Sequence, residues 1–153
     1  MSDDIDKLTT WLAPLLQQLG QAERTALART VARELRADNT ANIRAQHGPE
    51  GEAWAARKNA VRDKRGRVRA KQQELFRRIT NRRNMQDRLS GRDAVLQFVA
   101  RTERIARVHH FGLRDKVRRG GPDYDYPERP LIGFSPAFLE KLQDIVLAHL
   151  AGH

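Results

Sequence analysis

The chain has 153 residues, no cysteine and a formal net charge of +10. This length allows one domain with a substantial core, and the lack of cysteine excludes disulfides, thiolate nucleophiles and cysteine zinc sites. The first residues are acidic, without the apolar core of a signal peptide, and no apolar run approaches the length of a membrane span, so we expect a cytoplasmic protein with no membrane partner.

Residues 1–46 are predicted to form two helices. Leucines recur at spacings of three and four in the first, where Pro14 must kink the helix or begin a new one because proline lacks an N–H. Gly20 closes this segment and Gln21 opens a second helical pattern that reaches residues 42–46. Such narrow seams serve either packing within the subunit or a contact between subunits, and the pattern leaves both open. The seam residues are Ile5, Leu8, Leu12, Leu15 and Leu19, then Leu27, Val31 and Leu35.

Residues 47–71 are predicted to form an extended basic linker that begins with a turn at residues 47–51. Residues 57–88 contain thirteen basic and three acidic side chains, an excess equal to the net charge of the whole chain. A block of one sign is repulsive unless it meets an anionic partner. We therefore predict contacts with DNA or an acidic protein surface for eight residues, called the basic tract: Arg57, Lys58, Arg62, Lys64, Arg65, Arg67, Arg69 and Lys71.

Residues 72–153 are predicted to form an α+β core. Leu75, Phe76 and Ile79 have helical spacing, and residues 85–89 and 94–100 are predicted strands of a hairpin that turns at Ser90 and Gly91. The chain as a whole is thus expected to be a single α+β domain, residues 1–153: N-terminal helices, basic linker, small antiparallel hairpin with a short helix, and C-terminal amphipathic helix.

A short helix is predicted from about Thr102 to Gly112, because glycine tolerates the left-handed backbone that ends many helices. Within it Ile105, Val108 and Phe111 recur every three residues, which indicates one apolar face.

The segment after this helix is predicted to be irregular over residues 114–128 and to form a strand or an extended segment over residues 130–134. Ser135 followed by Pro136 is a favoured helix start, so residues 136–150 are predicted to form the last helix. Its predicted buried stripe is Phe138, Leu142, Ile145, Val146 and His149.

The sequence contains no motif that indicates catalysis, metal binding or cofactor binding. His109 and His110 are adjacent on a helix and point about 100° apart, so we expect one to pack and hydrogen-bond and the other to face a partner. The acids at 123, 125 and 128 lack the spacing of a calcium site, and a nuclease would need an acid–histidine cluster that is missing. Without a helix-turn-helix or zinc pattern, nonspecific nucleic-acid binding remains the alternative function.

Several segments, in order, resemble one protein family. They are IARVHHFGL (105–113), DYPERPLIGFS (125–135), LAHL (147–150) and, upstream, NIRAQ (42–46), the Pro49-Glu50-Gly51 turn with Trp54, and KRGRVRAK (64–71). The set resembles the tail completion proteins of contractile-tailed phages, the phage virion morphogenesis family. The residues that would have a structural role by this resemblance are Ile105, Val108, His109, Phe111, Gly112, Arg129, Pro130 and Gly133, whereas His110 stands where the family leads us to expect glutamine.

The resemblance implies a non-enzymatic virion protein, without a cofactor, that terminates the tail at its head-proximal end and takes part in head–tail joining. It also implies a ring, hexameric like the tail, around the path of the DNA. Its partners would be other copies of the chain, the tail tube and sheath, head–neck connector proteins and, nonspecifically, genomic DNA. The protein would be in the host cytoplasm during assembly and in the virion tail afterwards.

Overall fold

Helix α2, Gln21–Arg44, contacts the first hairpin and the last helix in this computed structural model, which describes residues 2–57, 64–67 and 74–152. The described elements are α1 (Ser2–Leu16), α2, β1 (Met85–Ser90), β2 (Asp93–Phe98), α3 (Ala100–Phe111), β3 (Arg114–Lys116), β4 (Asp123–Asp125) and α4 (Pro136–Ala151). Both β-sheets are two-stranded and antiparallel, so the predicted α+β class is confirmed.

Two apolar clusters of the described core lie at the two ends of α2. One contains Leu27 of α2 with Leu8, Leu12, Leu19 and Val146. The other contains Ile43 of α2 with Ile79, Met85, Ala106 and Leu131. Because a helix rises about 1.5 Å per residue, Leu27 and Ile43 lie about 24 Å apart. We call these the N-terminal and C-terminal clusters, after the ends of α2 where they lie.

The N-terminal seam packs within the subunit. Leu8, Leu12 and Leu19 are buried against α2 and against Val146 of α4. Pro14 lies inside α1, which continues to Leu16, so no new helix begins at the proline. The sequence left open whether this seam packs within the subunit or between subunits. The described contacts of its leucines are within the subunit.

The predicted β-hairpin is present, and its register pairs Ser90 with Asp93 and Met85 with Phe98. The prediction that the second strand reaches residue 100 is wrong. Asn84 O accepts a hydrogen bond from Val99 N at 3.0 Å, and Val99 O then accepts from Thr102 N at 2.9 Å. The chain therefore turns at Val99, and α3 begins at Ala100, before the predicted position.

The predicted apolar face of α3 is also wrong. Ala106 and Val108 are buried, whereas Ile105 is 55% exposed and Phe111 is 60% exposed. A spacing of three residues falls 60° short of a full turn, so Ile105 and Phe111 lie about 120° apart around the helix axis. The small Ala106 side chain allows α3 to approach the C-terminal cluster closely, which turns both larger residues outward.

The segment predicted to be irregular contains a second hairpin. Arg114 pairs with Asp125 and Lys116 with Asp123 across β3 and β4, and the side chains of both pairs form salt bridges. Opposite charges facing each other across antiparallel strands stabilise the pairing by a few tenths of a kcal/mol to about 1 kcal/mol each. Arg104 of α3 adds an ion pair at 2.7 Å to Asp115, which attaches the hairpin to the helix.

The predicted helical segment around Leu75, Phe76 and Ile79 is a series of turns in the structure. Phe76 has φ = +60°, which no regular right-handed helix contains. The Gln46 side chain holds this segment, because its Oε1 accepts from Leu75 N at 2.7 Å and its Nε2 donates to Leu75 O at 3.0 Å. Tertiary hydrogen bonds therefore replace the predicted helical ones.

The segment before α4 is irregular, with a bend at Ile132, and does not pair as a strand with any described residue. Asn39 of α2, fully buried, holds it: Gly133 N donates to Asn39 Oδ1 at 2.9 Å and Asn39 Nδ2 donates to Gly133 O at 3.1 Å. The predicted helix start is confirmed, since Ser135 Oγ accepts from Phe138 N and Pro136 is the first helical residue. Phe138 and Val146 form the buried part of the predicted stripe.

Gly112 ends α3 in the left-handed conformation that the sequence predicts, with φ = +65°. A Cβ at this position would lie 2.8 Å from Glu128 N and 2.9 Å from Glu128 Cα. Both backbone conformation and space therefore require glycine here.

We expect Gly112→Val to lower the free energy of unfolding by more than about 2 kcal/mol, because a β-branched residue is strained at positive φ and overlaps the Glu128 backbone. Gly120→Val is the matched control, since Gly120 has φ = +72° and open space around its Cβ position. Gly133→Val is a further comparison, since a Cβ at position 133 would contact only the Pro49 ring. Urea unfolding of the three variants measures the differences; equal losses at Gly112 and Gly120 would contradict the steric argument.

Candidate partner-binding cleft beside the basic tract

Four of the eight tract residues lie in the described part of the chain. Arg57, Lys64, Arg65 and Arg67 are all exposed. Lys58, Arg62, Arg69 and Lys71 lie outside the described residues. The described cations of the tract are therefore at the surface of the protein.

The beginning of the basic tract is fastened to the segment around residue 130. Trp54 Nε1 donates to Pro130 O at 2.9 Å. Arg129 donates from Nε to Ala55 O at 2.8 Å and from Nη2 to Ala56 O at 3.1 Å. These three bonds attach residues 54–56, which directly precede the basic tract, to the segment around residue 130.

A cleft of about 550 Å³ opens beside this point, and we call it the arginine cleft. No carboxylate is among its described lining residues, which are Ala55, Ala56, Arg57, Leu75, Phe76, Ile105, His109, Tyr124, Tyr126, Pro127 and Arg129. Arg129 is 5% exposed, whereas Ile105 is more than half exposed at the rim. The cleft thus combines two cations with apolar and aromatic walls.

Edge-to-face aromatic contacts support one wall of the arginine cleft. The ring centroids are 5.3 Å apart for Trp54 and Phe76, 4.9 Å for Phe76 and His109, 4.8 Å for His109 and Tyr126, and 4.9 Å for Tyr126 and Tyr124. Such pairs are worth about 0.5–1.5 kcal/mol each beyond their buried area. These four contacts connect the residue 54 region, the turns around residue 76, α3 and β4 in one wall of the cleft.

The two histidines have different surroundings. His109 packs between Phe76 and Tyr126, and its pKa is lowered by burial and by the nearby Arg129 charge. His110 Nδ1 accepts a hydrogen bond from Leu131 N at 3.0 Å, and burial lowers its pKa although Glu128 and Glu52 act in the opposite direction. Glutamine, the residue that the resemblance leads us to expect at 110, carries an oxygen that can accept the same bond.

The family-motif residues contribute to the site in different ways. Ile105, His109 and Arg129 line the arginine cleft, while Pro130 accepts the Trp54 bond. Val108 lies in the interior of the protein, and Phe111 lines a separate groove with His110 and Phe98. Gly112 and Gly133 act through the backbone, as described above.

Sequence reasoning missed the two tyrosines of the cleft wall. Tyr124 and Tyr126 are separated by one residue, and in a strand this spacing puts both side chains on one face. The alternation Asp123-Tyr124-Asp125-Tyr126 was therefore a signal for a short strand with an aromatic face. Asn39 was missed because a single polar residue inside a helical pattern gives no signal of its partner.

Within residues 2–57, 64–67 and 74–152, no group of three or more histidine or acidic side chains is arranged to hold a metal ion. None of the described helices is long and apolar enough to cross a membrane.

We expect the protein to lose stability as the pH falls. Both histidines have folded-state pKa values below their ordinary value, so near and below pH 6.5 the unfolded state binds more protons and stability declines. His110→Gln should reduce this loss between about pH 7.5 and about pH 5.5, because glutamine keeps an acceptor for Leu131 N without titrating. His110→Ala, the control, should be less stable at both pH values since the buried N–H loses its partner. Urea unfolding would contradict the assignment if His110→Gln kept the full pH dependence.

Comparisons with known proteins agree with the resemblance found in the sequence. The model of the Phage virion morphogenesis family matches residues 3–151. The chain is 35% identical over 141 residues to a protein of Escherichia phage P2 named Tail completion protein S, an alignment that covers 91% of this chain and 92% of the phage P2 protein. No solved structure matches the chain significantly. The family match over almost the whole length and the identity to a phage P2 protein agree, and the chain belongs to the phage virion morphogenesis family.

Proposed function

We propose that this protein completes the phage tail at its head-proximal end and takes part in head–tail joining. The observation that carries the proposal is the 35% identity to Tail completion protein S, which covers nine-tenths of both chains. The family model matches residues 3–151, a range that includes both apolar clusters, the arginine cleft and α4. The coarser role, a structural protein of the phage tail, follows from membership of the family.

In this proposal several copies of the chain, most simply six, form a ring at the junction of tail and head. Identical subunits with head-to-tail contacts form a closed ring when the rotation between neighbours closes. Such a ring would contact the tail tube or sheath on one face and head–neck connector proteins on the other, and genomic DNA would pass through its channel. No catalytic step and no cofactor are part of this function.

The basic tract has two anions available in such a ring: DNA in the channel and the carboxylates of neighbouring proteins. Arginine outnumbers lysine ten to three over residues 57–88, and arginine suits fixed, bidentate contacts with carboxylates. We propose that residues 62–71 contact neighbouring virion proteins while the basic side chains of residues 72–88 line the DNA path. The exposure of Lys64, Arg65 and Arg67 is consistent with this role.

A second candidate function is nonspecific nucleic-acid binding outside the virion. The observation in its favour is the one-sign charge of the tract, whose described residues are all exposed. A monomeric protein that binds duplex DNA with an affinity falling steeply with salt would support this candidate. A structural ring requires self-association instead, so the two functions are distinguishable.

Deletion of the gene from its phage tests the proposed function. We expect filled heads and tails to accumulate separately, and a plasmid copy of the gene to restore joined, infectious particles. Electron microscopy of lysates counts the three species. Normal yields of joined virions from the deletion phage would refute the proposal.

Replacement of Arg62, Arg65, Arg67 and Arg69 by lysine tests the fixed contacts of the tract. The variant keeps the charge but loses the planar, bidentate geometry of guanidinium, so we expect head–tail joining to fall at least about tenfold. The plasmid-complementation assay measures it, with the four-alanine variant as the reference for loss of charge. Normal joining by the lysine variant would reject fixed contacts and leave electrostatic attraction as the explanation.

A further inference from the structure

The arginine cleft contains a buried cation without an anionic partner among the described residues. Arg129 is nine-tenths buried, and the described acceptors of its guanidinium are two backbone carbonyls, Ala55 O and Ala56 O. Arginine has five N–H donors, so donors remain for an incoming acceptor. The other charged lining residue, Arg57, is also a cation. Burial lowers the Arg129 pKa, and the charge of Arg57 acts in the same direction. Burying such a charge is unfavourable unless an anion pairs with it.

The apolar part of the arginine cleft indicates what accompanies that anion. Ile105 is 55% exposed at the rim, and Leu75 and Phe76 are only partly buried in the wall. A bare inorganic anion or a phosphate backbone would leave these side chains in contact with water. A carboxylate next to an exposed aliphatic side chain satisfies both the charge and the apolar surface.

The same chain presents this combination on the outward face of α4. Glu140, Asp144 and Leu147 follow one another at spacings of four and three, so they lie on one stripe of the helix. Both acids are exposed, and neither forms a salt bridge with any of the described residues. Leu147 is 49% exposed, one of the exposed large apolar residues of the protein. The neighbouring Lys141 is engaged elsewhere, with Glu34 at 2.6 Å.

The cleft and the Leu147 end of this stripe lie near different ends of α2. Leu147 follows Val146, which packs in the N-terminal cluster with Leu27. Phe76 of the cleft packs on the C-terminal cluster with Ile43, about 24 Å away along α2. The two surfaces therefore belong together only between copies, in a head-to-tail contact.

We propose that the α4 stripe of a second copy docks in the arginine cleft, with Glu140 and Asp144 facing Arg57 and Arg129 and with Leu147 against Ile105. The contact is heterologous, because one copy contributes the cleft and the other the stripe, and its repetition generates a ring or an open helix. The inference deepens the proposed function, on which it rests for the presence of neighbouring copies. It adds the specific surfaces through which those copies meet.

Charge reversal at two exposed positions tests the contact. Sedimentation velocity of the purified full chain should show that Arg57→Glu and Asp144→Arg each weaken self-association by at least about tenfold. The double variant should recover association, because the pair is re-formed with opposite polarity. A mixture of the two single variants should also recover it, since each cleft then meets a complementary stripe on the other chain.

Asp4→Arg is the matched control, the same change at another exposed helical aspartate, and it should leave association unchanged. Four outcomes would overturn the inference: a wild-type protein that stays monomeric at every concentration, normal association of Asp144→Arg, loss of association in Asp4→Arg, or no recovery in the double variant. Loss of duplex DNA binding by Arg57→Glu with self-association intact would assign the cleft to nucleic acid. None of these results depends on the gene-deletion assay, so failure of this interface is distinguishable from failure of the proposed function.

Discussion

The hydrogen-bonded pair between Asn39 and Gly133 is the interaction on which the arrangement of the chain most depends. It joins the C-terminal half of α2 to a segment that has no strand partner among the described residues, and one side chain satisfies both the backbone N–H and the backbone carbonyl of Gly133. A buried peptide group left without a partner costs about 1–3 kcal/mol. Asn39 thus makes it possible for the segment around Gly133 to pack against a helix without a strand partner.

Other polar side chains of α2 do the same for neighbouring segments. Arg36 donates to Thr80 O and Met85 O, and Asp38 accepts from Ser135 Oγ at 2.7 Å. Arg36 thus contacts the first residue of β1 and the turns before it, and Asp38 contacts the residue that caps α4. The interior around α2 is organised by polar contacts of this kind as much as by its leucines. The arginine cleft depends on these contacts indirectly, because Arg129 directly precedes the segment that Asn39 binds. The backbone N–H of Arg129 also donates to His109 O at 2.8 Å, which joins this segment to α3.

Features with a local chemical cause were predictable from the sequence. The Ser135 and Pro136 helix start, the left-handed Gly112 and the hairpin turn at Gly91 each require particular residues at particular positions. Features decided by distant partners were not. The segment of Phe76 has helical spacing, but its conformation depends on hydrogen bonds from the distant Gln46 side chain. Ile105 has the character of a core residue, but it is turned outward by the close approach of Ala106 to the core. For the site, the basic tract was visible as charge, whereas the cleft combines four separate stretches of chain and had no signature in any one of them.

The packing of α4 against the N-terminal helices has a consequence for when the protein becomes competent to assemble. Leu27 and Val146 share one cluster although they are about 120 positions apart in the sequence. During synthesis α1 and α2 leave the ribosome first, and their leucines remain uncovered until α4 follows. The stripe proposed to meet the next subunit lies on that same late helix. In that proposal a nascent chain lacks the stripe until the helix that completes its own core has emerged, so it cannot occupy the cleft of a neighbour before that core is complete.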